Sequence, residues 1–139
     1  MNYRQFGTDF ILRFDKGELF VENLLKFFKE RSIHPAWVNG LGAALWAEVG
    51  FYNLDKQEYG FKKIETNLEI ANITGNVTWT DNQPKAHLHV VLADANGQTY
   101  AGHLNELAVG GTCEIRLKTF DEALSRRHDD SSGLDILDL

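Results

Sequence analysis

At 139 residues, with 43% hydrophobic and 24% charged residues, the chain is long enough for one domain with a buried core and too apolar for a disordered one. A net charge of −6 and a pI of 5.3 offer no electrostatic footprint for nucleic acid, since phosphate binding rests on clustered Lys and Arg; a local basic patch stays open. No apolar run reaches membrane-span length and "MNYRQFGTDF" lacks a signal peptide's apolar region, so a cytoplasmic protein with no membrane partner is expected.

In chain order, "DFILRFD" alternates, with Phe10, Leu12 and Phe14 on one face, and predicts a half-buried strand. "DKGELFVENLLKFFKER" changes period. Phe20, Leu24, Phe27 and Phe28 form a helical stripe. Asp15 and Glu18 have the spacing of an acidic capping box, which predicts a helix start near Lys16. The helix is expected to end before His34-Pro35, because the residue preceding proline is pushed out of helical space.

The rest reads as strands: "AWVNGLGAALWAEVGFYN", "YGFKKIET", "LEIANITGNVTWT", "AHLHVVLA", "TYAGHL" and "TCEIRLKTF". Turn signals separate several of them, at Leu54-Asp55-Lys56, Asp81-Asn82-Gln83-Pro84 and Ala95-Asn96-Gly97. The expected class is α+β, a largely antiparallel sheet of six to seven strands with one main helix packed on it, in a single domain spanning 1–139. The sole cysteine, Cys113, lies in a strand and fits a small core residue better than a nucleophile. Residues 121–139 set six acids against Arg126 and Arg127, so this tail carries −4 of the total charge. It ends in Leu134, Ile136, Leu137 and Leu139, which need cover from this subunit or a neighbour.

Three of the five histidines fall in "KAHLHVVLADANGQTYAGHL". His87 and His89 share a strand face, while Leu88, Val90 and Leu92 face the core. A two-residue Asn96-Gly97 turn would set His103 opposite Val90, on the wrong face. A three-residue loop with Gly97 left-handed sets His103 opposite His89, with Cβ atoms ~5 Å apart and His87 a diagonal neighbour at ~7–8 Å. Gly102 leaves room in the ladder for something to approach. Three imidazoles so placed are candidate ligands of one divalent metal, zinc first, with iron, nickel or copper also suited, and with a position left for water or substrate. The bland alternative is an exposed sheet face whose histidines bond to water.

His34 and His128 fit a helix end and a solvated stretch. Trp37, Trp46 and Trp79 fit core or interface positions. Glu48 and Glu69 each interrupt an apolar strand, which fits solvation, a pair with Arg13, or a general base beside a metal; the structural roles are favoured. Metal binding is expected to weaken below about pH 6, near the reference imidazole pKa of ~6.5.

Four segments, "WVNGLGAALWAEVGFYN", "LEIANITGNV", "HLHVVLADANGQTYAGHL" and "VGGTCEIRLKTF", together resemble the PPC (plants and prokaryotes conserved) domain over about residues 6–120, and most of the tail does too. The resemblance implies one α+β domain assembled as a homotrimer. In plants the domain follows a basic AT-hook in nuclear proteins, where it mediates assembly and contacts with other factors. Stand-alone prokaryotic members usually carry a DNA-binding label. The fold is also similar to acetolactate decarboxylase and to a zinc ester hydrolase, which hold zinc with three histidines; that pattern falls on His87, His89 and His103. Ala101-Gly102-His103-Leu104 replaces the family's Gly-Gly-His-Leu, and no Arg-Gly-Arg AT-hook occurs, so direct DNA binding transfers poorly.

The resemblance thus implies a homotrimeric metal-binding module, regulatory or DNA-associated, with protein partners or a small-molecule ligand. The alternative is a zinc-dependent lyase or hydrolase acting on a small oxo-acid or ester. Trp37, Trp46, Phe51 and Tyr52 crowd one glycine-interrupted stretch and supply apolar surface suited to a subunit interface.

Overall fold

The alternating and helical patterns resolve as expected into an α+β fold, here a computed structural model describing Met1–Leu139. In chain order the elements are β1 (Asn2–Phe6), β2 (Asp9–Asp15), α1 (Phe20–Arg31), β3 (Ala36–Asn53), β4 (Glu58–Ile64), β5 (Leu68–Thr80), β6 (Gln83–Ala93), β7 (Thr99–Thr119), β8 (Ser125–Asp129) and β9 (Leu134–Asp138). The main sheet has seven strands in the order β1-β2-β7-β6-β5-β3-β4, all antiparallel, and β8-β9 form a separate hairpin.

One further ladder decides the shape. β3 also pairs with β7, from Ala36 opposite Thr119 to Gly50 opposite His103. β7, β3, β5 and β6 therefore form a closed ring of hydrogen-bonded strands, which removes sheet edges in the middle of the molecule. The apolar face of α1 (Phe20, Leu24, Phe27 and Phe28) packs with Phe10, Leu12 and Phe14 of β2 and with Leu88, Val90 and Leu92 of β6 in a core of 27 buried residues. Cys113 belongs to this core, and burial pushes its thiol up to about 12, as a structural cysteine requires.

Three readings of the sequence need correction. The helix starts at Phe20, not near Lys16. The Asp15–Glu18 pair does form, with the Asp15 N–H donating to Glu18 Oε2 at 2.7 Å. It closes only a turn, because Glu18 and Leu19 are held by the sheet instead: the Val109 N–H donates to the Glu18 carbonyl, and Leu19 bridges Ala108. The cap comes from far along the chain. Glu106 on β7 accepts from the Val21 N–H at 2.7 Å and the Glu22 N–H at 3.0 Å, satisfying two free donors at the positive end of the helix. Such a cap is worth about 1 kcal/mol. Second, the segments 99–104 and 112–120 are not two strands but one, the 21-residue β7. Third, β1 and the β8–β9 hairpin were not foreseen. The hairpin lies on the outer face of β5 and half-covers Leu134, Ile136 and Leu137, leaving only Leu139 of the tail leucines open.

Candidate metal centre

The loop between β6 and β7 has the three-residue form. The Gly97 N–H donates to the Asp94 carbonyl at 2.9 Å, the Asp94 N–H to the Gln98 carbonyl at 3.0 Å, and Gly97 has φ +78°. Asp94 Oδ1 accepts from the Asn96 and Gln98 N–H groups, which braces the turn. Register follows. His89 sits opposite His103, and Val90 opposite Gly102. What approaches Gly102 is the backbone of β3: a Cβ there would lie 2.6 Å from the Gly50 carbonyl oxygen, so no larger residue fits.

His87, His89 and His103 converge on the outer face, opposite α1. One ring nitrogen from each lies within 4.8 Å of the others, and the ring centroids are 5.4–5.9 Å apart. Nδ1 of His103 is buried with no hydrogen-bond partner in the chain, and an orphaned buried polar atom of this kind costs about 1–3 kcal/mol. His87 and His89 are exposed enough to rotate, so an ion with ~2.0–2.1 Å bonds can draw the three together. The donor set fits a divalent metal.

Two features that sequence reasoning missed complete the surroundings. Tyr59 of β4 packs on His103 with ring centroids 4.9 Å apart, and continues into Tyr52 and Phe61 as an aromatic wall. Arg126 of β8 lies beside the histidines. Its Nε donates to Thr78 Oγ1 at 3.1 Å, Nη2 to Asn76 Oδ1 at 2.7 Å and Nη1 to the Asp135 carbonyl at 2.7 Å. Asn76, Lys85, Ala86, His87, His103, Arg126 and the tail residues from Leu134 to Leu137 line an open cavity of about 460 Å³. A signal for the hairpin was present: "SRRHD" and "LDILD" alternate around the turn residues Ser131-Ser132-Gly133. No such signal pointed to Tyr59.

The other candidates fall elsewhere. Glu48 is held by the Asn105 side-chain amide, and Glu69 is exposed at the end of the β5–β6 ladder remote from His87. Arg13 pairs with Asp15 at 3.0 Å on β2, which β7 separates from β6. His34 is exposed beyond the helix end, and His128 is exposed and bonded to Asp135 at 3.2 Å. Trp79 packs against the core and donates from Nε1 to the Ile33 carbonyl, whereas Trp37 is 41% exposed.

Although His87 is exposed at the surface, partial desolvation of its ring by the packed neighbours, then the charge of Arg126, then the other two imidazoles, hold it down to about 4; burial and His89 lower His103 as well. His87 and His103 therefore stay neutral at lower pH than the reference imidazole. Without metal, the sign for stability is clear. Above ~6.5 these imidazoles are neutral in both folded and unfolded chains. As pH falls from ~6.5 towards about 4, the unfolded chain takes up protons that the fold refuses, so stability declines across that window. Thermal melts of metal-free protein are expected to show this slope, and His87→Gln to flatten it. An identical slope in that variant would contradict the assignment.

A ring of antiparallel strands packed against one helix, with an open trio of imidazoles on its outer face, defines a class of small α+β proteins. The chain belongs to the Plants and Prokaryotes Conserved (PCC) domain family, the PPC family of the sequence resemblance, whose model matches residues 1–121. Among solved structures it is similar to a "putative DNA binding protein" of Bacteroides thetaiotaomicron, at 29% identity and TM-score 0.94, covering 99% of this chain and 96% of that one. It is also similar to a metal-containing protein of Archaeoglobus fulgidus, at 34% identity and TM-score 0.86, covering 98% and 97%. A Staphylococcus aureus protein similar to α-acetolactate decarboxylase shares the fold at 15% identity and TM-score 0.56, over 80% of this chain and 52% of that one. No functionally curated protein matches the chain.

Proposed function

We propose that His87, His89 and His103 bind a divalent metal, zinc foremost, and that the chain works as a homotrimeric metal-binding module. One observation carries the reading: three ring nitrogens from two strands lie within 4.8 Å of one another. The unpartnered Nδ1 of His103 and the 34% identity to a metal-containing protein support it. Zinc is favoured because imidazole donors at an open three-ligand site suit it. Zinc held by these three histidines would supply Lewis-acid chemistry beside the cavity. The chain's own contribution is to fix two imidazoles on β6 and one on β7, and to wall the site with Tyr59, Leu134 and Leu137. Residues 1–139 act as one unit in this reading, since Arg126 and part of the cavity wall lie beyond residue 121. A reducing cytoplasm suits the single buried, unpaired Cys113. Elemental analysis of protein purified without chelators is the test, with about one zinc per chain expected. Protein that holds no divalent metal after reconstitution would refute the reading.

A second reading, a zinc-dependent lyase or hydrolase on a small oxo-acid or ester, draws support from the cavity beside the imidazoles and from Arg126. Direct DNA binding is not part of either. The net charge is −6, and Arg13, Arg116 and Arg127 are each paired with an aspartate. The chain alone is expected to show no specific duplex binding by fluorescence anisotropy at physiological salt. Submicromolar affinity with a steep salt slope would overturn that expectation.

A further inference from the structure

Arg126 is a half-buried cation with no carboxylate partner. Its three committed hydrogens go to neutral acceptors: the hydroxyl of Thr78, the side-chain oxygen of Asn76 and the backbone carbonyl of Asp135. Two of those anchors are buried, Asn76 at 5% exposure and Thr78 at 0%. The carboxylate of Asp135 is turned away to His128 at 3.2 Å and Lys85 at 3.6 Å. Arg13, Arg116 and Arg127 each meet an aspartate; Arg126 is set against dipoles, although the chain carries 20 acids to 14 bases. A guanidinium has five N–H donors, so one hydrogen on each terminal nitrogen is left without a partner in the chain. Arg126 borders the same cavity as His87 and His103.

We propose that Arg126 makes this cavity a receptor for a small carboxylate anion, gripped by the guanidinium on one side and facing the histidine patch on the other. The planar fork matches a carboxylate's two oxygens. A single unneutralised charge suits a single negative charge better than a phosphate dianion, because the nearby Lys85 is already occupied. Ala86, Leu134 and Leu137 give the anion's carbon skeleton apolar walls, and about 460 Å³ accommodates only a small molecule. Asn76 and Thr78 act as positioning residues, fixing the guanidinium plane. This inference rests on the metal reading of the histidine patch, and the test separates the two.

Acetate is the probe, titrated into the full chain in two forms. In cobalt-substituted protein the visible spectrum reports ligands near the ion; in metal-free protein calorimetry reports binding directly. Arg126→Gln is expected to weaken acetate binding about 10- to 100-fold, the range for losing a charged hydrogen-bonding partner, while metal content stays unchanged. Asn76→Asp keeps the arginine but hands it an internal carboxylate, and is expected to block acetate equally without undocking the hairpin. Arg127→Gln, which removes only an exposed pair with Asp138, is expected to change nothing. Acetate affinity that survives both Arg126→Gln and Asn76→Asp overturns the inference, as does the absence of acetate binding in both forms. Phosphate bound more tightly than acetate overturns the carboxylate assignment. If no metal binds but acetate still binds in an Arg126-dependent way, the metal reading fails and the anion site stands.

Discussion

Alanine at His87, His89 or His103 is expected to strip most of the bound metal, whereas alanine at His34 or His128 leaves it in place. Removing an outer hydrogen-bond partner of a metal ligand already costs 10- to 100-fold in affinity, so losing one of three direct ligands costs more. His87 and His89 are exposed, so truncating them leaves no cavity in the core. Loss of metal in those variants therefore reads ligation and not unfolding. His34 lines a different cavity, with Tyr3 and Arg31, and His128 points at Asp135 and Asp130. Metal content by elemental analysis, with circular dichroism as the folding control, measures the difference. Stoichiometric metal in the triple variant His87→Ala, His89→Ala, His103→Ala would remove the basis of the proposal.

A mass near three times 15.8 kDa is expected by light scattering at micromolar concentration. The family resemblance supplies the number three; the surface supplies a reason to associate. Ile11, Trp37 and Leu41 are 41–56% exposed on the outer face of β2 and the first half of β3. Phe51, Leu54 and Phe61 are 47–78% exposed around the β3–β4 hairpin. Two different apolar patches on one chain suit a head-to-tail contact, which closes a ring when the rotation allows it. Each aromatic side chain removed from water contributes about 1.5–3 kcal/mol. Trp37→Asp puts a charge into the first patch and is expected to shift the mass towards 15.8 kDa without loss of fold. A wild-type mass of 15.8 kDa refutes the trimer.

The histidine site was legible because its geometry is local. Ala95-Asn96-Gly97 admits a left-handed glycine, that loop sets the register of β6 against β7, and register places His103 opposite His89. The core faces of β2, α1 and β6 were legible for the same reason, since a repeat of two or 3.6 residues needs only neighbours in sequence. The start of α1 was not. Glu106 reaches its cap from 85 positions away from Val21, and the pull of Val109 on Glu18 competes with a capping box that the sequence spells out. The same distance hid the closure of β3 on β7. It also hid Arg126, 48 positions from Thr78, whose place beside the imidazoles exists only once the tail hairpin lies on β5. Turn chemistry and periodicity act within a few residues. Which faces meet is decided by burial across the whole chain, and here that decision turned three aligned histidines into a walled cavity with a cation in it.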